Sequence, residues 1–380
     1  MRLIIEPADG VAPLVAAIKG AKKSIEVAIF RLDRADIETA LVAAAARGVR
    51  VTALIAFANR GGEKRLRQLE LRCLAAGITV ARTADDLIRY HGKYILIDRR
   101  VLYVLSFNFT TLDIGHSRGF GIFTDRPDCL HEAAALFTAD CARTPYEPKI
   151  EKFVVSPANS RRVLGAFLRG ATRQLLVYDP KISDREMLGI LHARAKAGVD
   201  VRVIGQVSGR PAFPVQRLAG IRLHTRTIIR DQRQAFVGSQ SLRPAELDSR
   251  REVGLMVRAP NVVKQLAATF ESDWAKAIPA KAPVARGAEE APAPPAPEAP
   301  PAASARDVAK AVGVFTHELE SLATTVKDAV REAVVKAGDD VLHDKDVKGT
   351  MKQVVKQAVK EAVKEAVHAA QSAQPERRTV

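Results

Sequence analysis

Two stretches of this 380-residue chain repeat one another without a gap, 150 residues apart. AIKGAKKSIEVAIFRLDRADIETALVAAAARGVRVTALI begins at Ala17, and FLRGATRQLLVYDPKISDREMLGILHARAKAGVDVRVIG begins at Phe167. Gly20 aligns with Gly170, Gly48 with Gly198, and Val49 and Val51 with Val199 and Val201. Each copy reads as helix end, strand, helix, strand. Ser24 to Phe30 is β-branched and apolar, Ile37 to Arg47 is rich in Ala and Leu, and Gly48 stands where a helix takes its C′ residue. In the second copy, Ser183-Asp-Arg-Glu186 has capping-box spacing at the head of the helix. Strands alternating with helices predict an α/β fold. It would consist of two duplicated repeats, each a mixed sheet flanked by helices, packed about a pseudo-twofold axis.

A second pair of matching stretches follows: HGKYILIDRRVLYVLSFNFT from His91 and HTRTIIRDQRQAFVGSQSL from His224. His91, Lys93, Asp98, Ser106 and Asn108 fall at the same spacing as His224, Arg226, Asp231, Ser239 and Ser241. The duplication therefore carries a polar constellation as well as a fold. If these runs are strands, His91 and Lys93 share one face, as do His224 and Arg226. Asp98 lies five positions beyond Lys93, on the opposite parity, which suits a supporting role better than contact with a substrate.

Two such repeats packed about a twofold would bring two imidazoles and two cations to one cleft, and that arrangement fits phosphodiester cleavage. One neutral histidine attacks phosphorus and forms a phosphohistidine; the other donates a proton to the leaving oxygen and then activates the acceptor. Lys93 and Arg226 would neutralise the nonbridging oxygens, with Ser106, Asn108 and Ser239 as added donors. The two cations supply the positive field, so no divalent metal or other cofactor is expected.

The run His91-x-Lys93-x4-Asp98-x6-x-Ser106-x-Asn108, with its degenerate second copy, resembles the phospholipase D superfamily motif His-x-Lys-x4-Asp-x6-Gly-Ser-x-Asn. The resemblance covers roughly residues 1–275. It implies two α/β repeats sharing one site, a phosphohistidine intermediate and no metal. It further implies His91 as nucleophile, His224 as general acid and base, and Glu252, in SRREVGLMV, as the carboxylate that orients an imidazole. The chain departs from the pattern at Leu105 (for Gly), Arg226 (for Lys) and Ser241 (for Asn), and Gly119 stands near the position matching Glu252. Arg keeps the charge of Lys but holds phosphate through a planar fork instead of a point charge. About ten residues before His91, around ARTADDLIRY, have no counterpart before His224, so one rim of the cleft should be built differently.

The net charge of +16 narrows the partners. From Arg306 onward 13 Lys and Arg face 12 Asp and Glu, so the excess sits in the part expected to fold and favours polyanions. The leading expectation is cleavage or transfer of a phosphatidyl group of a phospholipid. The alternatives are a nuclease of the same superfamily, or a weakly catalytic basic module that binds anionic lipid or nucleic acid. Cys73, Cys129 and Cys141 are odd in number and lack C-x-x-C spacing, against a disulfide framework or zinc site. No secretory leader or 18-residue apolar run is visible, so a cytoplasmic protein is expected, with any membrane contact peripheral at an anionic surface. There is no H-E-x-x-H, P-loop or G-x-G-x-x-G after a strand. His116, His131 and His192 lack motif context, and the basic run EKRLRQLELRCL from Glu63 reads as a solvated helix face or a phosphate contact.

The expected division is a first repeat over 1–148, a second over 149–278, a Pro/Ala-rich linker over 279–305 and an amphipathic helical tail over 306–372. In the tail Val355, Val359, Val363 and Val367 recur every four residues, a stripe suited to self-association or peripheral docking.

Overall fold

The computed structural model describes residues 1–58 and 63–280. The tail and all but the first two residues of the expected linker lie outside the described residues. The first half runs β1 (Arg2–Glu6), α1 (Ala12–Gly20), β2 (Ser24–Ile29), α2 (Ala35–Ala46), β3 (Arg50–Ile55), α3 (Glu63–Ala75) and β4 (Thr79–Arg82). It continues with β5 (Arg89–Tyr90), β6 (Tyr94–Ile97), β7 (Val101–Leu105), α4 (Thr111–His116), β8 (Ser117–Thr124) and α5 (Pro127–Ala142). The second half runs β9 (Phe153–Val155), α6 (Ser160–Arg169), β10 (Gln174–Ile182), α7 (Arg185–Lys196), β11 (Asp200–Val207), β12 (Val215–Arg217) and β13 (Arg222–Leu223). It ends with β14 (Arg226–Arg230), β15 (Gln234–Gly238), α8 (Pro244–Asp248), β16 (Arg250–Arg251), β17 (Val253–Val257), α9 (Pro260–Lys276) and β18 (Ile278–Pro279).

The helix, strand, helix, strand order is α1-β2-α2-β3 in one copy and α6-β10-α7-β11 in the other. Gly48 and Gly198 follow their helices at φ 85° and 84°, a left-handed conformation that costs a glycine nothing. The capping box is offset from its expected position. Asp184, not Ser183, is the N-cap of α7, and its carboxylate accepts from the Met187 N–H at 3.0 Å.

Each half forms one mixed sheet. The first is ordered β1-β8-β7-β6-β2-β3-β4, with β13 of the second half added to β8; the second is ordered β18-β12-β11-β10-β14-β15-β17-β9. The crossover pairs β2–β3 and β10–β11 are parallel, and the hairpins β6–β7 and β14–β15 are antiparallel. Alternation along the strands sorts side chains into layers. Leu96, Leu102 and Val104 join Val237, Leu255, α5 and α9 in a core common to both halves. Ile95, Ile97 and Leu105 face the other way, into the core beneath α1, α2 and α3. Val177, Ile228 and Phe236 pack into a third core with α6 and α7.

The two hairpins turn the same way. Asp98 and Arg99 have φ of 52° and 50°, and Asp231 and Gln232 have φ of 53° at both positions. The Arg100 and Arg233 N–H groups close these turns on Ile97 and Arg230 carbonyls. Positive φ at both central residues matches the right-handed twist of the flanking strands, and Asp tolerates it better than Arg or Gln. Gln232→Gly should therefore stabilise the protein by about 0.5–1 kcal/mol, read as a higher urea midpoint at unchanged slope. An unchanged or lower midpoint would count against strain at this turn.

Candidate active site

The motif histidines sit where each half leaves its own sheet and pairs with the other. The expected strand from His91 begins only at Tyr94, because the preceding residues are drawn to the second half. There β5 pairs in parallel with β16, and the His91 N–H donates to the Arg251 carbonyl at 2.7 Å. Reciprocally, β13 pairs in parallel with β8, and the His224 N–H donates to the Arg118 carbonyl at 3.1 Å. Arg118 and Arg251 are fixed in equivalent ways. Arg118 donates to Asp273 at 2.8 and 2.9 Å and to the Glu6 carbonyl at 2.7 Å. Arg251 donates to Asp140 at 3.1 Å and to the Ser156 carbonyl at 3.2 Å.

His91 Nδ1 lies 2.8 Å from Glu252 Oε2 across the two halves, and the ring packs edge-on against Phe30 with centroids 4.5 Å apart. Burial, then the Lys93 and Arg226 charges, push the imidazole well below its ordinary pKa. Lys93 is wholly buried, with Nζ 5.4 Å from the centre of the Phe30 ring. Burial drives its ammonium well below the usual range, against the pull of Glu252. The Glu252 carboxyl is raised by burial, with Lys93 and the Ser239 hydroxyl acting the other way.

His224 lacks the matching carboxylate. Gly119 occupies the place of Glu252, and a Cβ there would come within 2.9 Å of the Phe107 ring, which fills the space. The carboxylate beside His224 Nδ1 is Asp113, with Oδ2 at 3.6 Å, too long for a hydrogen bond. Burial, then Arg226 and Lys93, push this imidazole well below its ordinary value too, and His91 itself contributes. Arg226 donates through Nη1 to the His224 carbonyl at 2.6 Å and through Nε to Ser241 Oγ at 3.3 Å.

Asp113 and Glu246 escaped the sequence reading. Both sit on the short helix that follows the motif, five residues after Asn108 and Ser241, and both are buried. Asp113 accepts from the Asn108 backbone N–H at 2.8 Å and its amide at 2.6 Å, and pairs with Arg222. Glu246 accepts from the Ser241 N–H at 2.7 Å and from Arg250 at 3.1 Å. The common spacing within the duplication was the signal that could have found them.

The other motif residues brace the strands that carry the cluster. Ser106 Oγ accepts from the Phe120 N–H at 2.9 Å, and Ser239 Oγ from the Val253 N–H at 3.1 Å, so each hydroxyl ties its strand to the next. Asp98 accepts from the Lys22, Lys23 and Ser24 N–H groups, and Asp231 from those of Thr172, Arg173 and Gln174, at the opposite end of the hairpins. Lys93 Nζ, His224 Nδ1, Asn108 Oδ1 and Glu252 Oε1 are buried with no hydrogen-bond partner among the described residues. Buried polar atoms are ordinarily paired, and four orphans within one constellation mark a place for a polar ligand. Among the described residues no three metal-ligating side chains come together, and two of the four cations of the basic run in α3, Arg67 and Arg72, pair with Glu70 and Glu38.

Comparison with known proteins agrees with this architecture. The chain has 21% identity to polyphosphate kinase from Porphyromonas gingivalis, covering 72% of this chain and 50% of that one with a TM-score of 0.61. It therefore spans half the length of that enzyme. Phosphatidylserine synthase from Haemophilus influenzae Rd KW20 matches at 11% identity over 74% of this chain and 87% of its own, with a TM-score of 0.56. The phospholipase D family member Nuc from Salmonella typhimurium matches at 25% identity over 37% of this chain and 91% of its own, with a TM-score of 0.34. No curated protein matches the sequence. The family model for the cardiolipin synthase, phospholipase D-like domain matches twice, over residues 14–141 and 164–274, one match to each half of the duplication. With a family match to each half and the doubled His-x-Lys/Arg-x4-Asp pattern, the chain belongs to the phospholipase D-like family.

Proposed function

We propose that this chain cleaves or transfers the phosphatidyl group of a phospholipid through a phosphohistidine on His91. Glu252 accepts from His91 Nδ1, which leaves the lone pair of Nε2 for attack on phosphorus. As the N–P bond forms, the bond from phosphorus to the head-group oxygen breaks, and His224 donates its proton to that oxygen. Water or an alcohol then attacks the phosphohistidine, His224 takes the acceptor's proton, and His91 is released. The free site holds His224 neutral through burial and the Arg226 and Lys93 charges. A bound anionic phosphate offsets those charges and supplies the conditions for protonation. Lys93 and Arg226 neutralise the nonbridging oxygens without a resident metal.

The choice of a lipid rests on the rim. Phe57, Ile88 and Leu112 are 40%, 69% and 51% exposed. They follow β3, precede β5 and open α4, at the end of the first sheet that carries His91. Exposed apolar side chains at the same sheet end as a buried cationic cluster suit an acyl interface and a peripheral encounter with an anionic bilayer. No helix among the described residues is long and apolar enough to cross a membrane. The +16 charge favours a second reading, a nuclease.

With chelator present, full-length protein should release head group from phosphatidylglycerol or phosphatidylcholine vesicles and leave plasmid DNA intact. Nicking of DNA without lipid turnover would replace the lipid reading with the nuclease, and no turnover of either would leave a binding module. Glu252→Gln keeps the shape but not the charge of the group that positions His91. It should lower kcat about 10–100-fold with KM nearly unchanged. Unaltered kcat would remove the positioning role.

A further inference from the structure

A cavity of about 890 Å³ lies away from the histidines. It opens at the far end of the second sheet. Arg230, which lines it, closes the five-residue strand that Arg226 begins, about 13 Å away by strand rise. Met256 and Arg258, also in its lining, end the run that starts beside Glu252. The volume falls within the range of small-molecule sites and exceeds what an inorganic phosphate fills.

Its cations are of two kinds. Arg126 and Lys152 both pair with Asp128, and Arg162 pairs with Glu151 at 2.5 Å. Among the described residues Arg230 makes no salt bridge to a carboxylate, although Asp231 acts on it as an opposite charge. Its guanidinium lies 4.6 Å from the centre of the Phe167 ring, donating to the Phe167 carbonyl at 3.0 Å and to Gln234 Oε1 at 2.7 Å. Arg258, which is exposed, acts on Arg230 as a like charge. The cavity wall also carries the carboxylates of Asp125 and Glu151, but its five cationic side chains, Arg126, Lys152, Arg162, Arg230 and Arg258, outnumber them and favour an anion, and the forked guanidinium donors match phosphate. Val163, Phe167 and Met256 give the same cavity an apolar wall.

We propose that this cavity is a second binding site, separate from the histidine cluster, for a small organic phosphate whose phosphate meets Arg230 and Arg258 and whose apolar body lies against Phe167 and Met256. The same chemistry occurs in a nucleotide and in a short-chain phosphatidic acid. Titration calorimetry on the full-length protein should use AMP, dihexanoyl phosphatidic acid below its micelle concentration, and inorganic pyrophosphate as a probe without an apolar body. One of the two organic phosphates should bind at one per chain and more tightly than pyrophosphate, which identifies the source. Arg258→Glu, an exposed substitution that should leave the fold intact, should weaken that binding at least tenfold, and Arg230→Gln should do likewise. Lys93→Met should leave it within twofold. Failure of both organic phosphates to bind, binding indifferent to Arg258→Glu, or binding lost in Lys93→Met would each overturn the proposal.

Discussion

His91→Ala should lower phosphodiesterase turnover by about 10⁴-fold or more and abolish any covalent phosphoenzyme. That loss corresponds to about 5.5 kcal/mol of transition-state stabilisation. The His91 backbone, not its side chain, donates to the Arg251 carbonyl, so the alanine variant keeps the strand pairing that joins the halves. His224→Ala should behave differently. With a natural head group it should also be slow, because the leaving oxygen has lost its proton donor. With a p-nitrophenyl leaving group, which needs no proton, the first step should survive and the phosphoenzyme should accumulate. The asymmetry follows from the Nδ1 atoms: that of His91 meets Glu252 at 2.8 Å, whereas that of His224 has no hydrogen-bond partner among the described residues. Phosphate trapped on His224 in the His91→Ala variant would reverse the two roles. Full activity of His91→Ala would discard the covalent route.

The duplication made the fold class legible, because a repeated pattern of apolar periodicity constrains two segments at once. It also singled out His91, Lys93, His224 and Arg226, whereas Glu252, which has Gly119 as its counterpart, came only from the family resemblance. Less visible was what the two halves exchange. β5, β13 and β16 are each two residues long and carry Arg-Tyr, Arg-Leu and Arg-Arg, which have no strand pattern of their own. They are strands only because the other half supplies a partner, and the extended run expected from His91 is shortened for the same reason. Asp113 was overlooked because a carboxylate on a six-residue helix, read locally, is an ordinary first-turn acid. Its burial beside Arg222 and His224 arises from contacts over a hundred residues apart in the chain. Gly119 shows the converse. The sequence revealed the missing carboxylate opposite His224, but not that Phe107 had taken its volume.

The same duplication places a matched pair of supports outside the cluster, and their loss should be the largest effect on stability. Asp98→Ala and Asp231→Ala should each cost about 2–4 kcal/mol, because each carboxylate accepts from three consecutive backbone N–H groups that would be left without it. Those donors lie where α1 enters β2 and where α6 enters β10, so each Asp ties a hairpin turn to an interior strand of its sheet. Although burial opposes the charge, the backbone donors hold both carboxyls below their ordinary value. A group lowered in the folded state stabilises when ionised. Its contribution is therefore complete above the usual carboxylate range and is lost as pH falls through the lowered value. The destabilisation by either variant should be full at pH 6 and shrink steadily below about pH 4. Glu6, raised to about 8, and Asp140 and Asp179, raised to about 6, titrate in the opposite sense, but they are present in both proteins and cancel in the difference. A gap between wild type and variant that stays constant from pH 6 to pH 3 would mean that the carboxylates act through shape alone. Because the two supports share no partner, the double variant should lose the sum of the single losses to within about 0.5 kcal/mol. A shortfall beyond that would show that the halves do not unfold as one unit, since the second support would then be removed from a structure already open.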